Sequence, residues 1–152
     1  MKDLFIFLIC LFLISTLKSQ IKNEENAIKT SIHTFFEGLQ KGDTILLNSV
    51  INKNLKLQTA FLNNEGRGIL RNETRKAFLT AISSKNPNDI WMEKLLSYDI
   101  KIDGNLASVW TPYKFYFNNE FSHCGVNSFQ LFKNGNIWEI IYIVDTRRKN
   151  CN

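Results

Sequence analysis

Residues 105–145, NLASVWTPYKFYFNNEFSHCGVNSFQLFKNGNIWEIIYIVD, decide the fold. Asn118-Asn119 and Asn134-Gly135 divide this stretch into three segments rich in aromatic and β-branched residues, and Asp103-Gly104 precedes the first of them. Asparagine, aspartate and glycine tolerate the positive φ angles that tight hairpins require. The pattern therefore predicts four long antiparallel strands, near 91–102, 105–117, 120–132 and 137–145.

The residues before these strands alternate between helix and strand patterns. Apolar residues recur at helical spacing in 24–40, and Asp43 can cap a second, short helix. Residues 55–59 alternate as in a strand, 63–68 are polar and glycine-bearing as in a loop, and 71–83 carry helix-forming residues. The order helix, helix, strand, helix and four-strand meander predicts a single α+β domain.

Residues 1–19 predict a signal peptide. Lys2 supplies a positive charge, and 4–14 is an unbroken apolar run that is too short to span a bilayer. Ser19 offers a small residue for cleavage, whereas a short buried helix is the alternative interpretation. We therefore expect export to the periplasm or the medium, and a mature domain over 20–152 without a membrane span.

The cysteines follow the same expectation. Cleavage removes Cys10 and leaves Cys124 and Cys151, and an even pair in an exported protein predicts a disulfide. The alternative is two free thiols, with a reactive thiolate at Cys124.

The charge of the chain argues against one class of partner. The formal net charge is +5, but the basic residues are scattered and only Arg147-Arg148-Lys149 form a run. Proteins that bind nucleic acid usually carry a basic stripe or a known binding module. Neither is visible in the sequence, so we expect no nucleic-acid partner.

Two motifs resemble a known superfamily. They are Phe35-Phe36-Glu37-Gly38 followed by Lys41-Gly42-Asp43, and the closing NGNIWEII of residues 134–141. Both are similar to motifs of the nuclear transport factor 2-like superfamily, and its exported lumazine-binding-like and polyketide-cyclase-like (SnoaL-like) branches are the nearest match. The resemblance covers residues 24–146. It implies a cone-shaped curved antiparallel sheet wrapped around N-terminal helices, a cystatin-like roll that encloses a cavity and often forms a homodimer.

Ideal hairpin register predicts the residues of a pocket. It places Asn127 opposite Trp110 on one neighbouring strand and Tyr142 on the other, with His123 farther along the same face. Gly125 leaves space between His123 and Asn127. An aromatic wall with space and a few polar groups predicts a small-ligand site.

The choice of face depends on regular strands. The opposite face, with Val109, Tyr113, Phe115 and Ile143, is at least as apolar. A bulge in any strand would exchange the two faces. Cys124 lies on that opposite face, and Cys151 can reach it only along the outside of the cone, which favours the pocket face chosen above.

Three charged or titratable residues are candidates for chemistry. His123 can act as a general base or a ligand contact, or it can simply bond to a backbone group at the rim. Asp99 falls on the pocket face opposite Ser108, where burial would raise its pKa and permit proton transfer, although a solvated acid at a strand end is the plainer interpretation. Glu93 is a further acid, which falls opposite Lys114 in the same register. Arg147 can clamp an anionic ligand at the cone mouth or belong to a solvated tail.

These residues lead to three hypotheses. The first is an exported, non-catalytic protein that binds a small molecule through Trp110, His123, Asn127, Tyr142 and Arg147, with no cofactor or metal. The second is a SnoaL-like isomerase, dehydratase or cyclase that uses His123 or Asp99, and the third is a structural dimerisation module with a filled cone. An open cavity with an isolated carboxylate of raised pKa favours the second, an open neutral cavity the first and a filled cavity the third.

Overall fold

The computed structural model describes the backbone of residues 2–151 and the side chains of residues 19–151. The side chains of the predicted signal peptide, 1–19, lie almost entirely outside the described residues. The helices are α1 Lys2–Lys41, α2 Thr44–Asn48 and α3 Arg75–Ser83. The strands are β1 Ile51–Leu62, β2 Gly68–Thr74, β3 Trp91–Leu95, β4 Asp99–Asp103, β5 Leu106–Phe117, β6 Glu120–Asn134 and β7 Ile137–Thr146. Among the described residues, no helix has both the length and the apolar character needed to cross a membrane.

The strands form one sheet in the order β2-β1-β7-β6-β5-β3, and β4 also pairs with β5. All pairs are antiparallel except β1 with β7, which is parallel. The predicted meander of β5, β6 and β7 is confirmed. Asn118 and Asn119 form its first turn with φ angles of 50° and 68°, as predicted for an asparagine pair in a tight hairpin.

Strand β2 was missed by the sequence prediction, which placed residues 63–68 in a loop and began a helix at residue 71. The Asn63 side chain accepts hydrogen bonds from the backbone N–H groups of Glu65 and Arg67, which closes a tight turn after β1. The chain then returns along β1 as β2. The helix begins only at Arg75, because the Thr74 hydroxyl caps it by accepting from the N–H of Ala77 at 3.1 Å.

The predicted strand 91–102 is divided into β3 and β4. Leu95 pairs with Tyr113 and Asp99 pairs with Trp110, so three residues on one side oppose two on β5. Pro112 lies at this point and has no N–H to donate to a neighbouring strand. The regular pairing is interrupted at this proline, whose carbonyl still accepts from the N–H of Leu96 at 2.9 Å.

A bulge changes the register between β5 and β6. Tyr116 pairs with Phe121, but Phe115 pairs with His123, which leaves Ser122 as an extra residue. Because side chains alternate between the two faces of a strand, one extra residue exchanges the faces beyond it.

A second bulge lies between β6 and β7. Leu131 pairs with Ile140, but Gln130 pairs with Tyr142, so that Ile141 is extra. The hairpin turn also falls one residue later than predicted, at Gly135-Asn136. That displacement alone moves the pairing of β6 with β7 by two residues, so each β7 side chain stays on its predicted face of the sheet. The bulge adds one more residue and moves the side chains beyond it to the opposite face.

The core lies between α1 and the inner face of the sheet. Ile28 and Ile32 are fully buried, and Phe35 meets Phe129 of β6 edge-to-face, with ring centroids 6.1 Å apart. The largest fully buried side chain, Trp138 of β7, donates from Nε1 to Glu24 of α1 at 2.9 Å. A buried aromatic residue of this kind stabilises the fold by roughly 2–3 kcal/mol. These contacts fix α1 across the sheet and leave a space at the end that β3 and α3 enclose.

Candidate functional site

A cavity of about 420 Å³ opens between the helices and the inner face of the sheet. Aromatic rings from both layers form its apolar walls: Phe35, Phe36, Phe78, Trp91, Phe115 and Phe117. Its polar groups come mainly from β3, β5, β6, β7 and the residue after β7: Glu93, Tyr113, His123, Asn127, Asp145 and Arg147. The cavity therefore has an apolar side and a polar side.

Glu93 is one of three acids that line this cavity, with Glu73 and Asp145. Its Oε1 accepts a hydrogen bond of 2.6 Å from Nδ2 of Asn127, which is buried. Burial raises the pKa of Glu93 to about 7, the Asn127 hydrogen bond acts in the opposite direction, and the nearby charges of Asp145 and Arg147 largely oppose each other. Near neutral pH the carboxyl can therefore either accept or donate a proton.

Asp145 has a different environment from Glu93. Its Oδ1 accepts from the Thr59 hydroxyl at 2.7 Å, and its Oδ2 accepts from Nε of Arg147 at 2.7 Å. The Tyr113 hydroxyl donates to the Thr146 carbonyl at 2.9 Å and lies 3.4 Å from Asp145 Oδ2. Burial, and then the charge of Asp145, raise the pKa of Tyr113, which keeps the phenol protonated. These bonds fix the Asp145 carboxylate in place and hold Arg147 at the cavity mouth.

His123 lies on the inner face beside Phe115 and Tyr113, with ring centroids 5.0 Å and 5.7 Å away. Its Nδ1 is 3.1 Å from the Ser122 hydroxyl oxygen. Burial, followed by the positive charge of Arg147, lowers the pKa of His123. The imidazole is therefore mainly neutral at pH 7 and offers one donor and one acceptor.

Arg147 stands at the mouth with 46% of its side chain exposed. Burial opposes its charge, but the hydrogen bond and the negative charge of Asp145 outweigh this effect and raise its pKa. The bond to Asp145 uses Nε, so the N–H donors of the two Nη groups remain for an anionic ligand.

Two predicted pocket residues lie outside the cavity. Trp110 is 52% exposed on the outer face of the sheet, and Tyr142 lies on the same face with its hydroxyl donating to Gln58. The predicted pairing of Asn127 with these two residues is wrong, since its actual partners are Thr111 and Asp145. The extra residues in β6 and β7 account for the exchange of faces.

Asp99 also lies outside the cavity, contrary to the prediction. It pairs with Trp110 rather than Ser108, is exposed, and forms a salt bridge of 2.8 Å with Lys101. Glu93, and not Asp99, lines the cavity, and it pairs with Phe115 rather than the predicted Lys114. The sequence signal for an inward-facing Glu93 was strand alternation. Trp91, Glu93 and Leu95 share one face of β3, which places the acid between two apolar residues.

The C-terminal segment is tied to the outside of the sheet. The predicted disulfide between Cys124 and Cys151 is present, with Cα atoms 6.0 Å apart. Cys124 and Arg148 exchange two backbone hydrogen bonds of 2.9 Å. Cys124 and His123 point to opposite faces, as strand alternation predicts, so the disulfide holds the tail outside while Arg147 reaches the cavity mouth.

Gly125 has a different role from the one predicted. A Cβ atom there would lie 1.8 Å from the carbonyl oxygen of Thr146 and 2.9 Å from Cε1 of Tyr113. The missing side chain therefore admits the backbone of β7 rather than a ligand. Within residues 19–151, no group of three histidine, cysteine, aspartate or glutamate residues is arranged to hold a metal ion.

No protein-family model matches the sequence, and no curated protein is similar to it in sequence. Solved structures are similar to it in fold. An NTF2-like protein with a cystatin-like fold from Novosphingobium aromaticivorans has a TM-score of 0.67 at 10% identity, covering 90% of this chain and 89% of the other. A proposed dehydratase of the NTF2-like family from Streptomyces avermitilis has a TM-score of 0.60 at 10% identity, covering 85% and 99%.

A third similar structure has yet another function. The CaMKII hub of S. rosetta has a TM-score of 0.63 at 11% identity, covering 81% of this chain and 95% of the other. At such identities the likeness shows the fold alone. The predicted NTF2-like, cystatin-like α+β fold is therefore confirmed, whereas the lumazine-binding-like or SnoaL-like branch stays a prediction.

Proposed function

We propose that this chain is an exported protein that binds a small, flat, partly apolar molecule in its cavity. The observation that carries the proposal is the division of the cavity into an aromatic side and a polar side. A volume of about 420 Å³ lies within the range of small-molecule sites, roughly 300–1,000 Å³. The aromatic rings of Phe35, Phe36 and Phe115 offer flat surfaces to an unsaturated ring system.

The polar side indicates the chemistry of the other end of the ligand. Arg147 supplies a cation at the mouth, and neutral His123 supplies a hydrogen-bond donor and an acceptor. Glu93, when protonated, donates to a carbonyl or carboxylate oxygen. The ligand that fits this arrangement is an aromatic or unsaturated ring bearing an acidic oxygen group.

Binding of 2-naphthoate, measured by isothermal titration calorimetry, tests this proposal. Replacing Arg147 with alanine removes a charge-assisted contact and is expected to weaken binding about tenfold or more. His123→Ala is expected to weaken it to a smaller degree, and Trp110→Ala, on the outer face, leaves it unchanged. Equal affinities for the wild-type protein and Arg147→Ala would contradict the proposed orientation.

A second candidate function is proton transfer by Glu93. The observation that favours it is a buried carboxyl of raised pKa in an open cavity, with an amide rather than a cation as its hydrogen-bond partner. A group that titrates near working pH is suited to general acid and base catalysis. Glu93 is a better candidate than Asp99, which is exposed, and His123 remains a candidate for binding the oxygen of the substrate.

Hydrogen–deuterium exchange at the activated carbon of 2-tetralone, followed by NMR, tests this second function. The wild-type protein is expected to accelerate exchange, and Glu93→Gln to abolish the acceleration. The matched control is Asp99→Asn, which changes an acid outside the cavity and leaves the rate intact. Exchange at the uncatalysed rate with the wild-type protein would reject the catalytic function while leaving the binding function open.

Export and dimerisation belong to the same proposal. The Cys124–Cys151 disulfide supports an oxidising compartment, in keeping with a signal peptide over residues 1–19.

A homodimer is supported by the fold shared with the CaMKII hub and by an apolar cluster of Met92, Tyr116 and Phe121 on the outer face. A filled, purely structural cone is not favoured, because the cavity is open. Sedimentation of Phe121→Glu as a monomer, against a wild-type dimer, tests the interface.

A further inference from the structure

A second concave site lies on the outer face of the sheet and borders the aromatic cavity, since Leu57, Gln58 and Glu73 line both. Strand β1 shifts its register with β7 between Ile51 and Lys56, and an open groove of about 860 Å³ forms beside this irregularity. Side-chain amides from the three strands β1, β2 and β6 line it: Asn52, Asn54, Gln58, Asn72 and Gln130. Tyr142, Ile141 and Leu106 supply its less polar surface.

Hydrogen bonds hold several of these groups in fixed orientations. The Gln58 amide donates to Asn72 Oδ1 at 2.6 Å and accepts from the Tyr142 hydroxyl. The Gln130 amide donates to the Ser108 hydroxyl at 3.2 Å. Each amide nitrogen has two N–H groups, so Gln58 and Gln130 retain one donor each beyond these bonds, and Asn72 retains both. The groove therefore presents ordered donors and acceptors to a ligand.

The charge of the groove selects the class of ligand. Lys56 and Glu73 are the charged residues among those that line it, and their charges cancel. An ionic ligand gains little from such a surface. A neutral ligand with many hydroxyl groups gains more, because each hydroxyl both donates and accepts, as an amide does.

An exposed tryptophan extends the same face. Trp110 is 52% exposed and lies two residues from Ser108 on β5, so both side chains point outward beside Gln130. An indole ring offers a flat apolar surface for the C–H face of a sugar ring. An exposed large aromatic residue next to ordered amides is stronger evidence of a ligand site than either feature alone.

From these features we infer that the outer groove binds a neutral oligosaccharide, with Trp110 and Tyr142 against the sugar rings and Gln130, Asn72 and Asn54 on the hydroxyl groups. The inference is independent of the ligand of the inner cavity. Trp110, Tyr142 and Gln130 line the outer face alone, so the two sites can be tested with different variants.

Calorimetric titration of the purified protein with cellohexaose, maltohexaose and chitohexaose tests the inference, and the tryptophan fluorescence that is lost in Trp110→Ala provides a second readout. At least one of the three is expected to bind. Gln130→Ala and Trp110→Ala are each expected to weaken binding about five- to tenfold, the loss typical of one or two contacts. His123→Ala, in the inner cavity, serves as the control and leaves binding unchanged.

Two results would overturn the inference. One is the absence of binding to all three sugars at millimolar concentration. The other is a second copy of the chain over the groove itself, recognised by a sedimentation dimer that Trp110→Glu converts to a monomer and Phe121→Glu does not. In contrast, a change of 2-naphthoate binding in His123→Ala with sugar binding intact would support two separate sites.

Discussion

Asn127 donates a hydrogen bond of 2.6 Å to Glu93 across the intervening strand β5. The Asn127 amide fixes the position of the Glu93 carboxyl but carries no positive charge that would compensate a carboxylate. Burial therefore dominates, and the pKa of Glu93 rises to about 7. Asp145, by contrast, bonds directly to Arg147 and Thr59, so these two of the three acids in the cavity have different environments.

The raised pKa of Glu93 makes stability depend on pH. The folded protein retains the proton up to a pKa of about 7, whereas the ordinary value is 4.5. The folded state therefore binds more protons between these values, and the free energy of unfolding falls as pH rises through this window. Glu93→Gln removes the titration, so the variant is expected to gain roughly 2–3 kcal/mol relative to wild type between pH 5 and pH 8.

Urea unfolding of both proteins at the two pH values measures this difference. The exposed Glu120 of the β5–β6 hairpin provides the control, since Glu120→Gln is expected to follow wild type at both pH values. A difference between Glu93→Gln and wild type that is the same at pH 5 and pH 8 would rule out a titrating Glu93 in this range.

The Cys124–Cys151 disulfide is expected to stabilise the fold. It closes a loop with a sequence separation of 27, which corresponds to roughly 3–4 kcal/mol in the chain-entropy model. The double variant Cys124→Ser/Cys151→Ser should lose about this amount in urea unfolding, and reductant should destabilise wild type but not the variant. Equal stabilities with and without reductant in wild type would show that the bond is not formed.

Gly125 and Gly68 provide a matched pair of substitutions. Alanine at Gly125 would place its Cβ atom 1.8 Å from a backbone oxygen, while alanine at Gly68 would meet nothing within 4 Å. Gly125→Ala is expected to cost at least about 3 kcal/mol or to prevent folding, because a backbone atom must move. Gly68→Ala should stay within about 1 kcal/mol of wild type by thermal unfolding. A stable Gly125→Ala protein would contradict the close approach of β7.

Two tryptophans test which face of the sheet is inside. Trp138 is 1% exposed and Trp110 is 52% exposed. Trp138→Ala is expected to cost roughly 3–5 kcal/mol and Trp110→Ala about 0.5 kcal/mol or less, as measured by urea unfolding. Comparable costs at the two positions would mean that the bulges do not place Trp110 outside.

The fold was largely predictable from the sequence because turn chemistry and periodicity are local signals. Asn118-Asn119 located a hairpin, and the spacing of Ile28, Ile32 and Phe35 located the buried face of α1. Strand β2 gave a weaker signal, since all of its residues are exposed and no apolar alternation marks it.

The site was less predictable, because it depends on single-residue irregularities. His123, Asn127 and Arg147 line the cavity, whereas Trp110 and Tyr142 do not. The residue types of Ser122 and Ile141 do not indicate a bulge. Each extra residue nevertheless moves the side chains beyond it to the opposite face of the sheet. Predicting the hydrogen bond between Glu93 and Asn127 requires knowing that β3 lies beside β5, and a local sequence pattern does not contain that information.

The most direct test of the cavity chemistry is the titration of the Glu93 side-chain carboxyl by ¹³C NMR, assigned by comparison with Glu93→Gln. The expected midpoint is about pH 7. Asn127→Ala should move it higher, because the hydrogen bond from Asn127 lowers the pKa of Glu93. A midpoint near 4.5, the ordinary value, in both the wild-type protein and Asn127→Ala would contradict a buried, proton-exchanging carboxyl in this cavity.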